Sequence, residues 1–197
     1  MISKKLHKKL ISQWKGKQYQ NRNKRVLQRL SWFHDNAFVL RGKHVLELGC
    51  NAAILAIEVM KYAKSYVGIE KKSVYHKQAL KTIEVAELNP RFVSALKYTV
   101  QEFEEDAFKY NALILSRVLY HFSEEEVKLV EDICLPKVDI VMVVSGAEEK
   151  KGVRHNDRKF WIMQNMIDFF LENGFRLSIN YKNKKFYAGI ARRVVGE

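Results

Sequence analysis

Residues 43–53 read Lys43-His44-Val45-Leu46-Glu47-Leu48-Gly49-Cys50-Asn51-Ala52-Ala53, and after an apolar helical stretch the chain resumes with Tyr66-Val67-Gly68-Ile69-Glu70. The first segment is a short buried strand closed by a tight glycine turn. The second is another strand, ending in a carboxylate. Strand, turn, helix and strand in this order make a nucleotide-type pocket at the carboxyl end of a parallel sheet. Glu70 follows Glu47 by 23 residues, near the roughly 20-residue offset at which an acidic side chain reaches ribose hydroxyls. A dinucleotide fits poorly. A pyrophosphate-binding turn uses three glycines so that bare backbone can approach the phosphates. Here Gly49 stands alone, with Asn51 and Ala53 at the other two places. Glu47 at the strand end repels a phosphate and attracts a cation.

Outward from this stretch the pattern repeats. Apolar runs predict strands at 44–49, 65–70, 93–99, 112–117, 138–145, 176–182 and 185–192. Helical periodicity falls at 52–63, 73–88, 123–133 and 158–173, with a short turn or helix near 102–109. Interleaved strands and helices imply right-handed crossovers and a mostly parallel sheet. The last two strands, joined by Asn183-Lys184, read as an antiparallel hairpin. Before residue 42, Ile2, Leu6, Leu10 and Trp14 recur every four residues between lysines, a basic amphipathic helix. Val26, Leu27, Leu30 and Phe33 form a second stripe that ends near Asp35-Asn36. These stripes either cover part of the core or, for the first helix, dock when substrate binds.

The turn resembles motif I of the Rossmann-like (class I) methyltransferases that use S-adenosylmethionine (SAM), in which an acidic residue precedes a glycine-rich turn. Glu70 matches the acidic residue that ends the second strand in that family. The resemblance implies an α/β Rossmann-like methyltransferase sandwich. Its seven-stranded, mostly parallel sheet closes with a C-terminal antiparallel hairpin and is preceded by basic N-terminal helices. It divides the chain into a helical extension, 1–41, and a SAM-dependent domain, 42–197. It places Glu47 and Gly49 near the methionine part of SAM and gives Glu70 both ribose hydroxyls. Asn51 and Lys71 join them as cofactor contacts, with Ser116 from the fourth strand end. Glu102 and Phe103 fall where the family often contacts adenine, although Glu104, Glu105 and Asp106 beside them also read as a solvated acidic run.

The fourth strand runs into Leu115-Ser116-Arg117-Val118-Leu119-Tyr120-His121-Phe122, which by the same resemblance faces donor and acceptor. It is similar to the "V-L-x-H" form of many small-molecule and some tRNA-modifying members. It lacks the Asp/Asn-Pro-Pro-Tyr/Phe form of amino-group enzymes and the tetrad of ribose enzymes, since Ser116 or Arg117 stands where the aspartate belongs. The acceptor atom is therefore open. Methyl transfer asks mainly for alignment. Where a proton must leave, His121 is suited by its near-neutral pKa, with Tyr120 and Ser116 beside it. The other readings of His121 are an acceptor or cofactor contact and a structural residue before a helix capped by Ser123 and Glu126.

The net charge of +13 is unevenly spread, with twelve Lys or Arg against Asp35 alone in residues 1–45. A basic arm of this kind suits a polyanion, since Lys and Arg displace counterions condensed on phosphates. Solubility, packing and an acidic membrane or protein surface are the other readings. A second basic stretch, the loop 146–159, carries Lys150, Arg154, His155 and Arg158 for substrate binding, with Arg117 as a further candidate. Arg154 has the fork to grip a phosphate. Phe160 and Trp161 suit either base stacking or the core.

At 197 residues the chain is long enough for one domain with a full core. No apolar run reaches the roughly 18 residues of a membrane span, and no secretory signal is read. Cys50 and Cys134, far apart, indicate a reduced intracellular chain, cytoplasmic by expectation. No Cys/His spacing indicates a metal. The reading is a SAM-dependent methyltransferase acting on RNA, tRNA or rRNA. The alternatives are a small-molecule or protein methyltransferase and an inactive domain that binds RNA or a partner chain.

Overall fold

The computed structural model describes residues 6, 10, 29–98, 109–146, 163–183 and 186–194. Two compact units, Met1–Thr99 and Val100–Glu197, divide the chain.

In the first unit, Leu6 and Leu10 are both helical, and Leu10 is fully buried. The second stripe forms a helix over 29–36, burying Leu30, Trp32 and Phe33. The rings of Trp32 and Phe33 meet edge to face at 5.0 Å. A 3-10 turn, Ala37–Leu40, and Gly42 at φ 72° lead into β1, His44–Leu48. β2 (Ser65–Ile69) and β3 (Val93–Leu96) follow, and β2 pairs in parallel with both β1 and β3. A parallel strand is covered on both faces, so its sequence is apolar throughout instead of alternating. β1 accordingly buries every residue except His44.

The connection from β1 to β2 departs from the expected helix over 52–63. The α-helix spans only Ala56–Val59. Before it, Asn51 and Ala53 are left-handed, at φ 54° and 50°, which excludes them from a right-handed helix. Around it, several bonds span three residues, such as Ala56 to Ala53 and Lys61 to Glu58, so the segment is a run of tight turns with one helical turn inside it. Glu58 in that turn is fully buried and accepts hydrogen bonds from His34 at 3.0 Å and Lys61 at 2.5 Å. Burial pushes its carboxyl up, but these two partners outweigh it and hold the pKa below the ordinary value. Through Glu58 the helix over 29–36 is tied to the segment behind the turn.

The β2-to-β3 connection is the helix Ser73–Val85, ending earlier than the expected 88. Leu88 N–H bonds to Ile83 and Glu87 N–H to Glu84, with Glu87 at φ 53°. This is a Schellman stop, which satisfies the last carbonyls of the helix.

In the second unit, β4 (Ala112–Ser116) and β5 (Ile140–Gly146) are parallel and buried along their whole lengths. Between them, Ser123 caps the helix Glu124–Leu129 in a reciprocal capping box with Glu126, as the sequence predicts. The helix widens into a π turn at Val130–Cys134, then tightens into a 3-10 turn, Leu135–Lys137, with Pro136 in its first turn. The helix Met163–Glu172 buries Met166, Phe169 and Phe170. β6 (Phe175–Lys182) and β7 (Phe186–Arg193) form the antiparallel hairpin, and β7 lies antiparallel to β5. The strands close through Asn183 and Phe186, whose backbones bond at 3.0 Å, one residue later than the expected Asn183-Lys184 joint.

Among the described residues the strands take the order β3-β2-β1-β4-β5-β7-β6 in one seven-stranded sheet. Successive strands run one way from β1 to β3, then resume on the other side at β4. The order thus reverses at β1, where open α/β sheets place their ligands, beyond the carboxyl end of the strand.

Candidate functional site

The turn at that strand end holds Gly49 at φ 65°, Asn51 at 54° and Ala53 at 50°. Two of the three carry side chains and still keep the left-handed backbone that glycine adopts most readily. For a residue with a Cβ this conformation costs about 1–2 kcal/mol. Asn51 offsets its share locally, since its side-chain oxygen accepts from Ala52 N–H at 2.9 Å. Ala53 has no such device. Strain of this kind persists where the surroundings over-determine it, and it collects at ligand sites.

Glu70 stands at the end of β2, 7% exposed. One carboxylate oxygen accepts from Asn51 N–H at 3.0 Å, the other from Lys72 N–H at 2.9 Å. An ionised carboxylate has about four acceptor positions, so two backbone bonds fix its orientation and leave acceptor capacity for a ligand. The bond to Asn51 also ties β2 to the turn after β1. Lys71, next to Glu70, is exposed.

Glu47 points into the interior and is only 2% exposed. Tyr66 donates its hydroxyl to the Glu47 carboxyl at 2.5 Å. Burial pushes the Glu47 pKa up to about 8, against the downward pull of the Tyr66 bond and the Arg29 charge, and Glu70 adds to the rise. Burial thus favours the protonated form of the Glu47 carboxyl. Burial, with the Glu47 and Glu70 charges, also holds the Cys50 thiol well above its ordinary range. Cys50 is thus an inert packing residue, since reactivity requires the thiolate.

Gly68 makes this cluster possible. A Cβ there would lie 2.7 Å from Cys50 Sγ, 2.8 Å from Cys50 Cβ and 2.9 Å from the Tyr66 hydroxyl. Gly68→Ala is expected to lose about 1–3 kcal/mol, the usual penalty of overpacking. In a chain of this size that is a fall of about 3–10 °C in Tm, which thermal unfolding reads directly.

The second unit holds the other candidates. Ser116 ends β4 and is buried. Arg117 follows at φ 61°, its N–H bonded to Val144 O at 2.7 Å and its Nε to the Tyr120 hydroxyl at 2.9 Å. A 3-10 turn, Leu119–His121, carries a buried Tyr120 and an exposed His121, their rings 4.4 Å apart. Ser123 and Glu126 cap the next helix between themselves, so His121 is not needed for the cap.

Glu102 and Phe103, the loop residues Lys150, Arg154, His155 and Arg158, and Phe160 and Trp161 lie outside the described residues. Among the described residues no group of three or more His, Cys, Asp or Glu could hold a metal ion, and no helix is long and apolar enough to cross a membrane.

Sequence reasoning missed Tyr66, Gly68 and Arg29 as parts of this site. The β1–β2 register sets Glu47 beside Gly68, and Tyr66, two residues earlier, shares that strand face. Reading the register would have exposed the Tyr66–Glu47 pair. Nothing in the sequence points to Arg29.

No protein-family model matches the chain. No curated protein matches it. Solved structures do. The methyltransferase domain of bacterial CtHen1-C superposes with a TM-score of 0.67 at 16% identity, over 85% of this chain and 98% of that one. A putative RNA methyltransferase from Pyrococcus horikoshii gives 0.64 at 13%, over 85% and 84%. Magnesium protoporphyrin IX methyltransferase from Synechocystis PCC 6803, with bound SAM, gives 0.61 at 15%, over 87% and 79%. The fold is that of the Rossmann-like SAM-dependent methyltransferases.

Proposed function

We propose that this protein, with its methyltransferase fold, binds SAM and methylates RNA, with tRNA or rRNA as the target class. The observation that carries the cofactor reading is the left-handed backbone at Gly49, Asn51 and Ala53 beside a carboxylate oriented by two backbone N–H groups. A turn of that shape lets a ligand approach the backbone closely, and Glu70 retains acceptors for two vicinal hydroxyls. In this reading Glu70, with Asn51 and Lys71, holds the nucleoside, and Glu47 with Gly49 serves the cationic methionine end. When bound, the cofactor supplies an activated methyl group on a sulfonium. Ser116, Tyr120 and the exposed His121 serve the acceptor, with His121 as the group suited to take a proton at neutral pH.

The RNA half rests on charge. Residues 1–41, read as an extension to the domain 42–197, hold most of the net positive charge. Two neighbours in fold are a putative RNA methyltransferase and a putative tRNA methyltransferase from Streptococcus pneumoniae. Another neighbour acts on magnesium protoporphyrin IX, and the Val118-Leu119-Tyr120-His121 segment favours such a small acceptor as the second reading.

Transfer of a labelled methyl group from SAM to pooled RNA, protein and metabolites tests the assignment. Nuclease-sensitive label supports the RNA reading, and label in another fraction moves the substrate. Because Leu10 is buried, deleting the arm would strip packing along with charge. Replacing Lys4, Lys5, Lys8 and Lys9 by Gln separates the two. This variant is expected to keep its SAM affinity and to lose RNA affinity. Its log–log salt slope should shrink by up to about 3 for single strands, at roughly 0.7 for each phosphate no longer neutralised. An unchanged slope assigns the arm to packing or solubility.

A further inference from the structure

Among the described residues, four with side chains beyond glycine adopt a left-handed backbone: Asn51, Ala53, Glu87 and Arg117. The first two shape the turn after β1, and Glu87 forms the Schellman stop of a helix. Arg117 belongs to neither device. Its N–H is held at 2.7 Å by Val144 O on β5, so the neighbouring strand fixes the backbone where the chain leaves β4. Glycine or asparagine would accept this conformation more cheaply than arginine. Retaining arginine there calls for a use of its side chain.

That side chain is aimed. Nε donates to the Tyr120 hydroxyl at 2.9 Å, and Tyr120 is buried in its own 3-10 turn. Arg117 is half-buried, and among the described residues its two Nη groups meet no hydrogen-bond partner. With Nε committed to Tyr120, the paired Nη groups form a fork whose geometry matches two oxygens of one phosphate. A lysine has no second nitrogen with which to hold Tyr120 and grip an anion together. Fixing the guanidinium in advance lowers the cost of ordering it on binding.

We propose that Arg117 grips a backbone phosphate of the RNA beside the acceptor nucleotide, with Tyr120 as the residue that aims it; this rests on the RNA reading above. The test uses a single-stranded oligouridine 12-mer, titrated over a range of salt against wild type, Arg117→Gly and Arg117→Lys, with SAM affinity and Tm measured in parallel. Arg117→Gly is expected to stay within a few degrees of the wild-type Tm, because backbone relief offsets the lost Tyr120 bond. Its affinity for the 12-mer should fall about tenfold and its salt slope by about 0.7, with SAM affinity unchanged. Arg117→Lys should keep the slope, since the charge remains, and lose affinity with the fork. Wild-type binding with the same affinity and slope in Arg117→Gly overturns this assignment alone. Failure of wild type to bind the 12-mer overturns the RNA reading and this assignment with it.

Discussion

Glu70→Ala is expected to weaken SAM binding by about 100-fold in calorimetric titration. A hydrogen bond to a charged acceptor contributes about 1.5–3 kcal/mol, so losing two to ribose hydroxyls comes, at the lower end of that range, to about 3 kcal/mol, or two orders of magnitude in Kd. The substitution also removes the acceptor for Asn51 and Lys72 N–H, so it loosens the turn as well. A ligand comparison separates the two effects. Wild type should prefer adenosine to 2′,3′-dideoxyadenosine, and Glu70→Ala should lose that preference, whatever happens to the turn in general. A preference that survives the mutation removes Glu70 from the ribose contact and with it the pocket assignment. Glu70→Gln, which keeps one acceptor oxygen, should fall between the two.

The turn after β1 and the cap before the helix Glu124–Leu129 are legible in the sequence because their determinants are local. The spacing of Gly49, Asn51 and Ala53 marks three places, and all three are left-handed. The Ser123/Glu126 capping box is a four-residue signal and forms as written. The strand runs are short, apolar and well separated, so each is found with its ends shifted by a few residues. The misses arise where local signals conflict with tertiary contacts. Residues 52–63 carry helical periodicity, yet the turn's left-handed backbone consumes the first of them and the helix shrinks to Ala56–Val59. The His34–Glu58 bond spans 24 residues and the Tyr66–Glu47 bond spans 19. Such pairs follow from the packing of a helix and from strand register, which periodicity does not encode. The π turn at Val130–Cys134 likewise interrupts a pattern that reads as one helix.

Glu47→Gln is expected to change the pH dependence of both stability and SAM binding. The folded chain raises the Glu47 pKa from 4.5 to about 8, so between those values the native state holds a proton that the unfolded chain has released. A group with a raised folded pKa contributes stability that is fully present below pH 4.5 and is lost as pH climbs through 8. The loss is on the order of a few kcal/mol, since each tenfold change in acidity is worth about 1.36 kcal/mol. Gln cannot ionise, so the stability of the variant relative to wild type should rise steadily from pH 5 to pH 8 in denaturant titrations. Taking the difference cancels the other titrating groups. A flat difference would mean that Glu47 is ionised in the native state. Ligand binding then asks whether this acid touches the cofactor. A cation beside Glu47 favours its ionised form, so SAM binding near pH 7 should release a proton. Affinity should gain up to about tenfold for each step of one in pH between roughly 6 and 7.5, and both effects should vanish in Glu47→Gln. Calorimetry in buffers of different ionisation enthalpy measures the proton count. No released proton would leave Glu47 a neutral acid that braces β1 against Tyr66, and would move the methionine end of the ligand elsewhere along the turn.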